Sequence, residues 1–198
     1  MVSLVLCQCG KTVKSYVEEA DSLVRQDEME AAIILYQKAI KDFPQNPILY
    51  INQAVLFREQ KKHDLAFKNY QVAHDLNPQS PIPFLGMGRL LILQNRFSEA
   101  REVLEEAIKI APNNGAALFS LGRACFELKD GQSTILALNR ALLAKFNPSE
   151  IYYYRGRTYE ELFHAPQSAI TEYELYLKTG GPKSDEIKLR LDKLKTGV

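Results

Sequence analysis

The sequence predicts an all-α chain built from a repeated helix–turn–helix unit. Three observations carry that prediction. A Gly-Arg pair recurs at Gly88-Arg89, Gly122-Arg123 and Gly156-Arg157, at an interval of 34 residues. Stepping back by the same interval lands on Ala54 and then Ala20, so every equivalent position carries little or no side chain. Around each of them a large or apolar residue stands four before (Tyr16, Tyr50, Phe84, Leu118, Tyr152) and three after (Leu23, Phe57, Leu91, Cys125, Tyr159). Spacings of i, i+4 and i+7 mark one face of a helix. Gly inside a helix costs about 1 kcal/mol relative to Ala. Its place in mid-face gives the reason, because a second helix can pack close there.

That second helix comes in register. Ala32, Ala66, Ala100 and Thr134 open its face, Tyr36, Tyr70, Leu104 and Leu138 come four later, and Ala39, Ala73, Ala107 and Ala141 three later again. Polar turns such as Gln26-Asp27-Glu28 and Gln94-Asn95-Arg96 separate the two helices. Pro44, Pro78 and Pro112 close three units, since Pro lacks the N–H and clashes with the preceding turn. The fourth unit departs, with Phe146 in the Pro position and Pro148 two later. The fifth needs one extra residue near His164-Ala165, after which Ser168 or Ala169 takes the small position and Tyr173 the large one. Pro166 suits the first turn of that helix. Gly180-Gly181-Pro182 ends the series. Ser184-Asp185-Glu186 reads as a helix start, with Ile187, Leu191 and Leu194 as its apolar stripe.

This pattern resembles the tetratricopeptide repeat, a helix–turn–helix unit of 34 residues. The resemblance rests on Tyr50, Ala54, Ala66, Tyr70, Ala73 and Pro78 in one unit and on Phe84, Gly88, Ala100, Ala107 and Pro112 in the next. It implies an all-α, right-handed superhelical solenoid of about five repeats with a C-terminal capping helix. The expected organisation is an N-terminal segment 1–12, an array over 13–181 and a cap over 182–198. The repeats are read as 13–46, 47–80, 81–114, 115–148 and 149–181. A polar-faced cap covers the hydrophobic face that the last repeat of such an array would otherwise expose.

The arginines follow the small residue by one position, about 100° around the helix from the packing face. The resemblance implies that this side of the first helix lines a concave groove. An apolar row (Val17, Ile51, Leu85, Phe119, Tyr153) would then run beside an arginine row (Arg89, Arg123, Arg157). The expected peptide-binding groove is Ile51, Asn52, Leu85, Arg89, Phe119, Arg123, Tyr153, Tyr154 and Arg157. Exposed apolar patches mark interaction sites, and Arg recognises carboxylates through paired N–H donors. The expected partner is therefore a protein or peptide with apolar and acidic residues, with the two tyrosines as anchors. A local reading competes with this one. Arg123–Glu127 and Arg157–Glu161 are i, i+4 pairs, which support a helix by about a few tenths of a kcal/mol. In family members that capture chaperone tails the first clamp position is Lys. Here it reads Val17, Ile51, Leu85, Phe119 or Tyr153, which argues against that mode.

Composition narrows the function further. Lys and Arg number 25 against 24 Asp and Glu, a net charge of +1. A nucleic-acid binder shows a basic excess, so RNA binding by helical repeats is disfavoured. No nucleophile–base arrangement stands out, so no catalytic residue, small-molecule substrate or cofactor is expected, and the reading is non-enzymatic. Gly10-Lys11-Thr12 has Val5 where a phosphate loop needs Gly, and the histidines form no metal-ligating set. Cys7-x-Cys9 has no second pair for zinc, and Cys125 reads as a small core residue. The first residues, MVSLVLCQCG, admit two readings. One is a frayed start of a cytoplasmic protein. The other is the tail of a bacterial lipoprotein signal with Cys7 or Cys9 lipidated, which needs an initiator upstream and departs at Leu6. In that case the protein is periplasmic or attached to the outer membrane, and contacts a membrane only through the lipid. The leading function is a binding module with a scaffold or adaptor role. The alternative is a structural subunit, or a lipid-anchored assembly factor, of a larger complex.

Overall fold

The computed structural model describes residues 11–196, all of whose regular elements are α-helices. They fall into two compact units, one ending at Pro78 and the other starting at Gln79. In the first unit, α1 (Val13–Arg25) pairs with α2 (Met29–Asp42), and α3 (Pro47–Glu59) with α4 (His63–Leu76). In the second, the pairs are α5 (Pro81–Leu93) with α6 (Phe97–Ile110), α7 (Gly115–Glu127) with α8 (Gly131–Leu143), and α9 (Glu150–Glu161) with α10 (Pro166–Lys178). A final helix, α11 (Ser184–Thr196), packs on α10.

Helix starts arise from caps written into each unit. Thr12 and Ser15 cap α1 reciprocally. The Asn46 and Ser80 side chains accept from the N–H of Ile48 and Ile82, with Pro47 and Pro81 in the first turn. Asn114 accepts from Ala117 and Asp130 from Ser133. Such caps satisfy amide donors that have no partner inside the helix.

The turns within the pairs share one device. Asp27, Lys61, Asn95 and Lys129 all have φ near +60°. The next residue in each turn donates its N–H back to the helix just ended, Glu28 to Leu23 and Asp130 to Cys125 among them, at 2.9 and 3.0 Å. This left-handed closure satisfies the last carbonyls of the helix. In the fifth unit the positive φ falls on His164, and the closing bond runs from Ala165 to Tyr159 at 2.8 Å, one residue wider. The extra residue expected there is taken up in the turn. Beyond it Ala169 is buried and Ser168 exposed, so Ala169 is the one that faces the core.

The small residues do what their spacing predicts. A Cβ on Gly88 would stand 2.5 Å from Leu104 Cγ, one on Gly122 2.6 Å from Leu138 Cδ2, and one on Gly156 2.4 Å from Tyr173 Cε1. In the first unit Ala20 and Ala54 are fully buried, and Tyr36 and Tyr70 are buried with them. Close contact of this kind gathers many small dispersion attractions between the two helices.

The junction after α8 differs from those after α2 and α6, and the missing Pro is the cause. Lys145 takes φ +59° and Phe146 donates its N–H to Ala141. That turn carries Phe146 onto Gly115, whose absent Cβ would lie 2.2 Å from Phe146 Cβ. The phenylalanine fills the place, and its ring centre lies 5.9 Å from that of Phe119.

At the C-terminal end, Ile187 and Leu191 of α11 join Tyr153, Ala169, Tyr173 and Tyr176 in one buried cluster, with Leu194 packed at its edge. Gly181 lies against the Tyr176 ring, and the Tyr176 hydroxyl accepts from the N–H of Lys183 at 2.7 Å. Arg190 of α11 reaches α9, with Nη1 2.8 Å from Glu160 and 3.2 Å from Glu161.

Candidate functional site

The expected groove residues divide between the units. Ile51 and Asn52 lie on α3 in the first. Ile51 is half-buried, and Asn52 donates its Nδ2 to the Tyr36 hydroxyl at 3.2 Å, so part of its polar capacity is used internally. Val17, on α1, is half-buried as well.

The remaining residues sit in the second unit on α5, α7 and α9, the first helices of consecutive pairs, and α7 touches both others. Leu85, Phe119 and Tyr154 are half-buried and rest on one core cluster that includes Leu118 and Ile151. Phe119 lies 6.1 Å from Tyr154 and Phe126 lies 5.5 Å from it, both edge to face. Phe126 is buried beneath, while Phe119 and Tyr154, both half-buried, keep part of their surface exposed. Arg89, on α5, is half-buried.

Arg123 and Arg157 occupy the same repeat position and meet different fates. The Arg123 guanidinium stands 5.7 Å from the centre of the Tyr154 ring and donates Nε to its hydroxyl at 3.2 Å. No carboxylate among the described residues reaches it; the local pair expected with Glu127 does not form. Arg157 is enclosed. It lies 4.7 Å over Phe126 and 5.7 Å over Tyr153, and forms two parallel bonds to Glu161 at 2.7 and 2.9 Å. Burial alone would raise the Glu161 carboxyl; the paired Arg157 guanidinium overrides it and holds Glu161 below the usual carboxylate range. For Arg157 the local ion pair is the one that forms.

The sequence reading makes Tyr153 an open anchor, yet it is only 4% exposed. The chain itself covers it. Lys183 Nζ lies 4.2 Å over the ring and donates to its hydroxyl at 2.9 Å, while that hydroxyl donates to Glu186 at 3.2 Å. Tyr176 and Tyr154 pack against it from other sides. Lys183 and Glu186 carry no signal in the repeat pattern, because they belong to the turn and helix after the last pair. Phe146 does carry one, as the residue in the place of a Pro.

Cys7 and Cys9 lie outside the described residues. Cys125 is buried, and burial pushes its thiol up to about 11. It is therefore a neutral packing group at ordinary pH. Among the described residues no group of three or more His, Cys, Asp or Glu side chains is placed to hold a metal ion. No helix among them is long and apolar enough to cross a membrane.

A profile of the tetratricopeptide repeat matches residues 17–81 and 85–151, and a second profile of the same repeat matches 57–107. The chain belongs to the tetratricopeptide repeat family. It is 25% identical over 116 residues to small glutamine-rich tetratricopeptide repeat-containing protein 2 of Mycosarcoma maydis, covering 59% of this chain and 33% of that one. It spans a third or less of the length of the curated relatives it matches. Among solved structures, the Cut9–Hcn1 assembly of the APC/C superimposes with a TM-score of 0.78 at 20% identity, covering 91% of this chain and 36% of that one. YrrB, described as a tetratricopeptide repeat protein with an unusual peptide-binding site, gives a TM-score of 0.69 at 20% identity, covering 81% and 82%. At these identities the structural likeness is one of fold. Tetratricopeptide repeats indicate a protein–protein interaction or scaffold module, and that is the class of this chain.

Proposed function

We propose that the second unit binds a peptide or helix of a partner protein across Leu85, Phe119 and Tyr154, with Arg123 engaging a carboxylate of that partner. The observation that carries the reading is Arg123, whose cation is fixed on Tyr154 beside a half-buried apolar strip with no carboxylate of its own. A rigidly held guanidinium loses little freedom when a carboxylate arrives, and aromatic and Arg residues dominate binding hot spots. In this reading Arg157 and Tyr153 support the strip and do not touch the partner, and α11 caps the array behind them. The peptide-binding site named for YrrB is consistent with such a use of the fold. The role is that of a scaffold or adaptor.

The test is a pull-down from host lysate with wild type and Arg123→Glu, both checked for equal helicity by circular dichroism. A partner held by wild type and lost by the variant supports the proposal. Equal retention by both overturns it.

A further inference from the structure

We infer a second docking surface on the outer side of α8, separate from the strip above, that receives an acidic, leucine-bearing helix of a partner protein. Leu136 and Leu143, one heptad apart on a single helix, are 62% and 84% exposed. Exposed apolar side chains grouped in this way mark contact surfaces. Arg140 stands between them on the same face, since residues three and four apart are neighbours. Two hollows flank this row. One, of about 350 Å³, is floored by Leu121, Cys125 and Ala137 beside Leu136. The other, of about 420 Å³, lies at the turn after α8 beside Leu143 and Lys145, and Arg140 borders both.

Neighbouring pairs show that the repeat does not require this surface. The equivalent positions read Glu102, Glu106 and Lys109 on α6 and, allowing for the extra residue, Thr171, Leu175 and Lys178 on α10. Of these three helices, only α8 places a cation between two leucines. Lys145, in the irregular turn before Phe146, lines the second hollow.

The charge selects the occupant. Arg101 is held by Glu105 and Asp130, and Lys109 by Glu106. Arg140 donates to the Pro112 carbonyl at 3.1 Å, and neither it nor Lys145 has a carboxylate partner among the described residues. Two such cations beside hollows whose linings include Leu121, Leu136, Ala137 and Leu143 match a helix bearing leucines and carboxylates on one face. A basic or uncharged helix would leave them unanswered.

The probe is a fluorescein-labelled synthetic helix with Leu and Glu on one face, with a control in which Lys replaces each Glu, read by fluorescence anisotropy. The acidic peptide is expected to bind saturably. Lys145→Glu and Leu143→Asp each weaken it by about tenfold or more, whereas Arg123→Glu leaves it unchanged. Both substitutions fall on exposed side chains, and thermal melts confirm that the variants stay folded. The inference is overturned by absence of saturable binding, by equal binding of the Lys peptide, or by binding that survives both Lys145→Glu and Leu143→Asp. A wild-type dimer converted to monomer by Leu143→Asp would assign the surface to a second copy and overturn it as well. Loss with Arg123→Glu alone would place the peptide in the α7–α9 strip instead and overturn it too.

Discussion

Arg123 and Arg157 stand one repeat apart, each just after a Gly and four residues before a Glu, and the chain uses them in opposite ways. On α9 the arginine is closed in by Phe126, Tyr153 and Glu161, and the tyrosine beside it is sealed by Lys183 and Glu186. On α7 the same arginine leans on Tyr154 and leaves its own Glu127 in solvent. The difference lies in the element that comes after each pair. After α9–α10 comes the segment with α11, which supplies Lys183, Glu186 and Arg190 and turns the end of the array into interior. After α7–α8 comes another pair of the same kind, whose Tyr154 offers a hydroxyl and a ring face but no charge. The same Gly-Arg pair with a Glu four residues later thus becomes scaffold beside α11 and, in the proposed reading, recognition surface one repeat earlier.

Truncating each arginine tests that contrast with the largest expected effect. Arg157→Ala removes a half-buried cation from two rings and a bidentate pair, and an unfolding loss of about 2 kcal/mol is expected. Arg123→Ala is expected to cost under about 1 kcal/mol, because its contacts are partly exposed. Urea melts of both variants measure the gap; equal losses would show that the two sites share one role.

The glycines probe the same contrast at a smaller scale. Gly156→Ala drives a methyl into the rigid Tyr173 ring, while Gly122→Ala meets the movable end of Leu138. Alanine gains about 1 kcal/mol of helix propensity at either site. A net loss of about 1 kcal/mol is expected at Gly156, where overpacking prevails, and a change near zero at Gly122. Thermal unfolding of the two variants compares them. A loss at Gly122 as large as at Gly156 would mean that Leu138 is as immobile as the ring.

The smallest effect is one of pH. Arg157 holds the folded Glu161 carboxyl below its ordinary value, against the upward push of burial. A carboxyl lowered by folding contributes stability above its unfolded pKa and loses it as pH falls through the folded value. Wild type is therefore expected to lose stability below about pH 4.5, the upper end of the carboxylate range. Glu161→Gln flattens part of that decline. An unchanged profile in the variant would place the acid sensitivity elsewhere.

The pairing of small and large residues is legible in the sequence because its determinants sit within one unit at fixed spacing. Gly88 with Leu104 and Gly122 with Leu138 come from that spacing, and Gly156 with Tyr173 from the same spacing plus the one extra residue near His164. The extra residue near His164 and the missing Pro at Phe146 are legible too, as breaks in the period. The fate of the arginines is not. Glu127 and Glu161 occupy identical positions, and the choice between them depends on where Tyr154 and Arg190 reach from other helices. The covering of Tyr153 depends on the path of the chain through Gly181 and Lys183, which no repeat dictates.

The wider turn at His164 bears on how such a chain changes over time. One residue has been added, and Ala169 still lies in the core with Tyr173 still seated on Gly156. The extra residue in this corner is thus absorbed before it reaches the next helix. Such corners are the places where epitope tags, reporter loops or grafted segments enter with least disturbance, and where natural length variants of this chain are expected to collect.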